Sequence, residues 1–204
     1  IREKVDPLVT KNNNGYLIQV KNNLPEILWY HYLKKFGFNR SQINDLLSNR
    51  NHSGKKFIAK NYTLYIDRKK WIINKNTQEK KGSFFVNKNS SLNEPVKILC
   101  NSIDKPTTLD ISSTIAYLDT DKLNFPLELR KWLPGDKIKP IGMKGSKKVS
   151  DLLIDLKTSI PDKRRTYVLL SNNKIIWVIG KKLSADFIAN KKTINWYKIT
   201  IIPS

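Results

Sequence analysis

The sequence is poor in the residues from which many active sites are built. Cys100 is the sole cysteine, so a disulfide framework or a cysteine zinc site within the chain is excluded. The two histidines, His31 and His52, have no partner at ligand spacing, and a metal site needs three or four ligands. No metal is expected. Glycine is scarce, 8 in 204 residues, and no glycine-rich nucleotide loop occurs. No apolar run approaches the ~18 residues that span a bilayer. The first residues, "IREKVDPLVT", contain no apolar stretch of signal-peptide type. They also lack an initiator methionine, since the only Met is Met143. The expectation is a piece of a longer protein. Acidic side chains are few as well, 17 against 38 Lys and Arg.

That imbalance leaves a net charge of +21 and a pI near 10.0. It points to a polyanionic partner, nucleic acid first and anionic membrane second. Richness in Lys, Asn and Ile with little Gly also fits an A+T-rich coding sequence, which explains some surplus lysine on a solvated surface. It does not explain lysines gathered beside glycines at one place.

A length of 204 residues suits one large domain or two small ones. "LPEILWYHYLKKFGFNRSQINDLLS" predicts two helices. Leu28, Trp29, Tyr32, Leu33 and Phe36 recur at helical spacing. Gly37 ends the first helix, Asn39 and Gln42 form a capping box for the second, and Phe38 with Ile43 stand as a hydrophobic staple. Ile43, Leu46 and Leu47 continue the buried face. Tyr62, Leu64 and Ile66 then alternate, and "DRKK" leads into "WIIN", a hairpin. "NKNTQEKKG" reads as a linker, so the division expected is residues 1–76 and 77–204. Beyond it, "FFV", "VKILC" and "TIAYLD" read as strands. "LELRKWLPGD" is a strand ending in a Pro-Gly turn, and "VSDLLIDL" a short helix with Val149, Leu152, Leu153 and Leu156 on one face. "YVLLSNNKIIWVIG" is a hairpin about Asn172-Asn173. Its second arm is apolar throughout and expected centrally in a covered sheet. Tyr197, Ile199 and Ile201 alternate in a last strand. The fold class is α+β: a small helix-pair and hairpin domain, then a mixed or antiparallel sheet domain with one or two short helices.

The segment "PIGMKGSKKVSD", Pro140 to Asp151, reads as a turn entering a helix. Lys147 and Lys148 fall in its first turn, where each costs ~0.3–1 kcal/mol against the helix dipole. A bound phosphate would reverse that cost, with Gly142 and Gly145 allowing close approach and Ser146 capping the helix or binding the anion. Other cations extend the candidate surface: Arg130 and Lys131 before Trp132, Lys137 and Lys139 after the turn, Lys144, Lys157, the run from Lys163 through Arg164 and Arg165, and Lys181 with Lys182. The RNA or phosphate-binding set comprises Arg130, Lys131, Lys137, Lys144, Ser146, Lys147, Lys148, Arg164, Arg165, Lys181 and Lys182. Asp136, Asp151 and Asp155 would be the carboxylates of an independent phosphate-ester enzyme. Turn, helix-start and ion-pair roles explain them better, so no catalytic residue is assigned.

The pattern R-x-W-x-P-G-D, P-x-G-M-x-G-x-K-K-x-S-D and W-V-x-G is carried by Arg130, Trp132, Pro134, Gly135, Asp136, Pro140, Gly142, Met143, Gly145, Lys147, Lys148, Ser150, Asp151, Trp177, Val178 and Gly180. Over residues 127–188 it resembles the C-terminal domain of the tRNA(Ile)-lysidine synthetase family. "LYIDRKKWII" more weakly resembles the end of that family's middle, substrate-binding domain. The resemblance implies a ligase that uses ATP to adenylate the wobble cytidine of the CAU-anticodon isoleucine tRNA, after which lysine displaces AMP to give lysidine. It places ATP and Mg in an N-terminal domain with an S-G-G-x-D-S loop, which this sequence lacks, so this chain takes no cofactor and is not catalytic alone. Its partners would be that tRNA and its own catalytic domain, in the cytoplasm and away from membranes, with a homodimer left open. A generic basic RNA-binding module is the alternative.

Overall fold

The computed structural model describes residues 2–12, 14–20, 24–76 and 82–202. The chain divides into two units, residues 1–79 with 159–162, and 80–158 with 163–204. The first unit begins with a one-turn helix, α1 (Arg2–Val5), and the strands β1 (Val9–Asn12) and β2 (Gly15–Gln19). Helices α2 (Glu26–Lys34) and α3 (Arg40–Ser48) follow, then β3 (Lys56–Ile58), β4 (Tyr62–Asp67) and β5 (Lys70–Lys75). The strands form one antiparallel sheet in the order β1-β2-β5-β4-β3.

The helix pair forms for the expected reasons. Gly37 takes a left-handed φ of +84°. The Asn39 side chain accepts the Gln42 N–H at 2.8 Å, and the Gln42 side chain accepts the Asn39 N–H at 3.0 Å. The box satisfies N–H groups that a helix start leaves unpaired. Trp29, Leu33, Ile43 and Leu46 are buried with Leu64, Ile66 and Trp71 of the sheet, and the Trp29 and Trp71 rings meet edge to face at 5.0 Å.

The expected β4–β5 hairpin is therefore the middle of a wider sheet. Its outer strands escaped sequence reading because β1 buries no residue fully and β3 buries only Phe57. The strand also runs on to Lys75, into the segment read as linker. Residues 77–81 of that segment lie outside the described residues. Gly15 allows β2 to meet β5, for a Cβ there would sit 1.9 Å from the Ile73 carbonyl oxygen.

The second unit contains β6 (Phe84–Val86), β7 (Ser91–Leu92), β8 (Ile98–Ile103), β9 (Ile115–Asp119), β10 (Leu127–Lys131), β11 (Lys137–Ile138) and β12 (Lys147–Lys148). After them come α4 (Val149–Asp155), α5 (Ile160–Arg165, of which residues 160–162 group with the first unit), β13 (Tyr167–Ser171), β14 (Lys174–Val178), β15 (Lys182–Leu183) and β16 (Trp196–Ile201). Two antiparallel sheets, β15-β14-β13-β10-β6 and β7-β8-β16-β9, bury Leu127, Leu169 and Trp177 together with Cys100, Leu118, Tyr197 and Ile199. The other face of the first sheet packs Val168, Leu170 and Val178 against Val149, Leu152 and Leu153 of α4. The fold class is α+β, with every sheet pairing among the described residues antiparallel.

Two expectations change. The central strand of the first sheet is β13, whose side chains alternate between the two cores; β14 is covered on both faces but borders the two-residue β15. Where Leu169 pairs with Trp177 and Leu170 with Ile175, Ile176 is an extra residue. Such a bulge puts two neighbours on one face, which is why Ile176 and Trp177 both enter the inter-sheet core. Leu156 is 47% exposed, not buried. The helix stops there: Lys157 turns to φ +50°, its N–H donates to Ile154 O and that of Thr158 to Leu153 O, a Schellman end with Lys in the glycine position. No described helix is long and apolar enough to cross a membrane.

The inter-sheet core carries a pH dependence. Burial pushes the Cys100 thiol from 9.0 up to about 12. Burial also pushes the Tyr197 phenol from 10.0 up to about 12, although an N–H bond from Asn89 opposes it. Both folded-state values lie above the unfolded ones. Their contribution to stability is whole below about pH 9 and is lost as pH rises toward 12. Thermal melts should give a Tm that falls through that alkaline window, and Cys100→Ala should flatten the decline.

Candidate nucleic-acid interface

Strand β10 ends at Lys131, and the chain reverses through Trp132 to Asp136, with Gly135 at φ +95°. The Arg130 guanidinium donates to both Asp136 carboxylate oxygens, at 2.8 and 2.9 Å. The Leu133 N–H donates to the same carboxylate at 2.8 Å. Burial pushes the Asp136 carboxyl up, but the hydrogen bonds from Arg130 and Leu133 outweigh it and hold it below the usual carboxylate range. The hydrogen bond to Asp136 raises Arg130 in turn. Trp132 packs on the α4 core, and its Nε1–H donates to Lys163 O at 2.6 Å.

The structure corrects the placement of the lysines. Lys147 and Lys148 do not lie in the first turn of a helix. They form β12 and pair with β11, Lys137 opposite Lys148 and Ile138 opposite Lys147. Helix α4 begins at Val149, with Lys148 at the N-cap making no side-chain cap bond. Ser146 is not the cap either. The Val149 N–H donates to Asp136 O at 2.8 Å, so this helix start is partly closed by backbone. Lys147 is half-buried and ion-paired with Asp155.

The electrostatic cost of these lysines therefore resides in the ribbon and not in a helix dipole. Like charges directly opposite across two strands repel. Lys137 and Lys148 are both exposed, and neither has a carboxylate partner among the described residues. An anion placed between them would relieve that repulsion.

The remaining predicted residues scatter. Arg130 is committed to Asp136, as above. Lys131 is half-buried, its ammonium 6.0 Å from the Tyr167 ring centre. Lys144 and Ser146 are exposed on the loop joining β11 to β12. Arg164 and Arg165 occupy the last turn of α5, where cations are favourable. Lys181 and Lys182 are half-buried beyond β14. Of the set, Lys137 and Ser146 share a cleft with Lys139, Asn173 and Lys174. In the sequence Asn173 is only a turn residue and Lys174 carries no motif, because nothing local links the β13–β14 turn to the ribbon.

The three carboxylates do not converge. Asp136 serves Arg130, Asp155 pairs with Lys147, and Asp151 accepts a bond from Ser150. Among the described residues no three His, Cys, Asp or Glu side chains are grouped to hold a metal.

Two family models match the chain: the TilS substrate binding domain over residues 11–76 and the TilS substrate C-terminal domain over residues 127–200. Both describe substrate-side domains. The chain belongs to the tRNA(Ile)-lysidine synthase family. The tRNA(Ile)-lysidine synthase of Parabacteroides distasonis is 38% identical over 176 residues, which is 83% of this chain and 40% of that protein. That of Clostridium tetani is 33% identical over 180 residues, 81% of this chain and 38% of that one. The chain thus spans about two fifths of the length of these relatives. A crystal structure of a TilS C-terminal domain shares the fold, with a TM-score of 0.52 and 19% identity, covering 60% of this chain and 100% of that one.

The Arg130–Asp136 pair gives a direct test. Its side chains are only 18% and 12% exposed, so removing Asp136 leaves a largely buried guanidinium with only Glu128, at 3.9 Å, as a carboxylate neighbour. Asp136→Asn should cost roughly 3 kcal/mol in chemical denaturation. The double variant with Arg130→Met should cost less than the two single losses added.

Proposed function

We propose that this chain is the tRNA-recognition part of a lysidine-forming ligase, and that its basic ribbon holds tRNA backbone. The observation that carries the reading is the Lys137–Lys148 juxtaposition: an uncompensated like-charge pair, built into the second of two substrate-side domains. The named relatives are tRNA(Ile)-lysidine synthases, which supports an isoleucine tRNA as the ligand; in this proposal that tRNA carries the CAU anticodon and the setting is the cytoplasm. On this reading ATP activation, with Mg, belongs to a catalytic domain of the full-length protein. The chain itself neither consumes ATP nor forms lysidine. Several modest phosphate contacts, tethered to that domain, gain strength through effective concentration.

Fluorescence anisotropy with labelled RNAs tests the reading. The chain should bind the CAU-anticodon isoleucine tRNA more tightly than an unrelated tRNA. Equal affinity for all RNAs would leave only a general basic RNA-binding module. Lys137→Ala with Lys148→Ala should reduce the slope of log K against log salt by about two, one unit per lost phosphate contact. The same variant should not lower stability, since removing facing like charges relieves repulsion. An unchanged slope would remove the ribbon from the interface.

A further inference from the structure

A cleft of about 430 Å³ opens in the second unit where four segments meet: the turn into β11, the end of the β11–β12 loop, the β13–β14 turn, and residues 184–187. That volume is in the range of small-ligand sites. Its charges do not cancel. Lys139 is paired with Asp186 at 3.0 Å, and Asp136 is spent on Arg130. Lys137 and Lys174 are left, both exposed and without a carboxylate among the described residues.

Neutral donors complete the rim. Ser146 offers its hydroxyl. Asn173 offers its amide from a turn fixed by positive φ at Asn172 (+45°) and Asn173 (+61°). The rest of the lining is Gly135, Ser184 and an apolar patch of Ile138, Ile175 and Phe187, whose side chains are buried in the fold and show only their edges to the cleft. Two unbalanced cations, flanking hydroxyl and amide donors and an apolar wall match a group with two negative charges joined to a flatter, less polar body.

We infer that this cleft binds a phosphate monoester of a nucleoside, with the phosphate between Lys137 and Lys174 and the nucleoside against Ile138, Ile175 and Phe187. A monoester carries close to two charges at neutral pH, whereas a diester inside a strand carries one. Two sources share that chemistry: a free nucleoside monophosphate, or the 5′-phosphate at an RNA end. Only the second rests on the tRNA reading above.

The test separates them. Anisotropy is measured for one RNA hairpin with a 5′-phosphate and for the same hairpin dephosphorylated. In parallel, AMP is titrated into the ¹⁵N-labelled chain and followed by NMR. If the ligand is an RNA end, the phosphorylated hairpin binds roughly ten-fold more tightly, the size of one charge-assisted contact, and Lys174→Ala brings the ratio to one. If the ligand is a free monoester, the hairpins bind equally, while AMP shifts the amides of Asn173, Lys174 and Ser146 and Lys174→Ala abolishes the shifts. Equal hairpins together with no shifts at the cleft would overturn the inference, whatever the tRNA selectivity proves to be. Loss of selectivity among tRNAs with AMP shifts intact would instead overturn the tRNA reading alone.

Discussion

The hydrogen-bonded ion pair between Arg130 and Asp136 is the constraint on which the basic face depends. Asp136 is the meeting point of three segments. Its carboxylate holds Arg130 at the end of β10 and the Leu133 N–H inside the turn. Its carbonyl receives the Val149 N–H and so fixes where α4 begins. Burying such a pair is costly unless the geometry is good and the spare lone pairs are used. Here two parallel guanidinium bonds and a backbone bond meet that condition. Without the pair, the turn, the β11–β12 ribbon and the helix start would have no common anchor.

From that anchor the fates of two neighbouring lysines follow. Successive strand residues point to opposite faces. In β12 this sends Lys147 toward Asp155 of α4 and leaves Lys148 exposed beside Lys137. A ribbon of two residue pairs is weak by itself. It is held by Ile138, buried against α4 and the first sheet, by the bridge of Pro140 to Ser184, and by the Ala185 N–H to Lys139 O at 2.8 Å. The repulsion between Lys137 and Lys148 is thus supported by packing elsewhere in the same unit.

Legibility in the sequence followed the range of the interactions. The Gly37 stop and the Asn39–Gln42 box act over a few residues, and both stand as read. So does the Asn172-Asn173 turn, where only the local φ matters. The edges of the first sheet were not legible, since β1 and β3 bury almost nothing and owe their strand form to β2 and β4. Lys147 and Lys148 were misplaced because a helix start and a short strand ahead of it look alike in "GSKKVSD". What distinguishes them is the pairing with Lys137 and Ile138 on the far side of the loop. The cleft was least legible of all. Lys174 and Ser146 are brought together only by the sheet and the ribbon, and neither segment carries a motif for the other.

The large net charge and the ordered lysines have separate physical roles. A surplus of +21 raises the encounter rate with any polyanion. It is screened within about a Debye length, ~8 Å at physiological salt, and by itself it does not distinguish one RNA from another. Discrimination needs charges held at fixed separations, so that a matching set of phosphates gains more than a mismatched one. Lysines on flexible loops lose that advantage to side-chain entropy. Lys137 and Lys148 start from a paired backbone register, and Lys174 starts from a fixed turn, so part of the ordering cost is met by folding before any ligand arrives. The scarce order in this very basic surface, rather than its abundant charge, is where selectivity can originate.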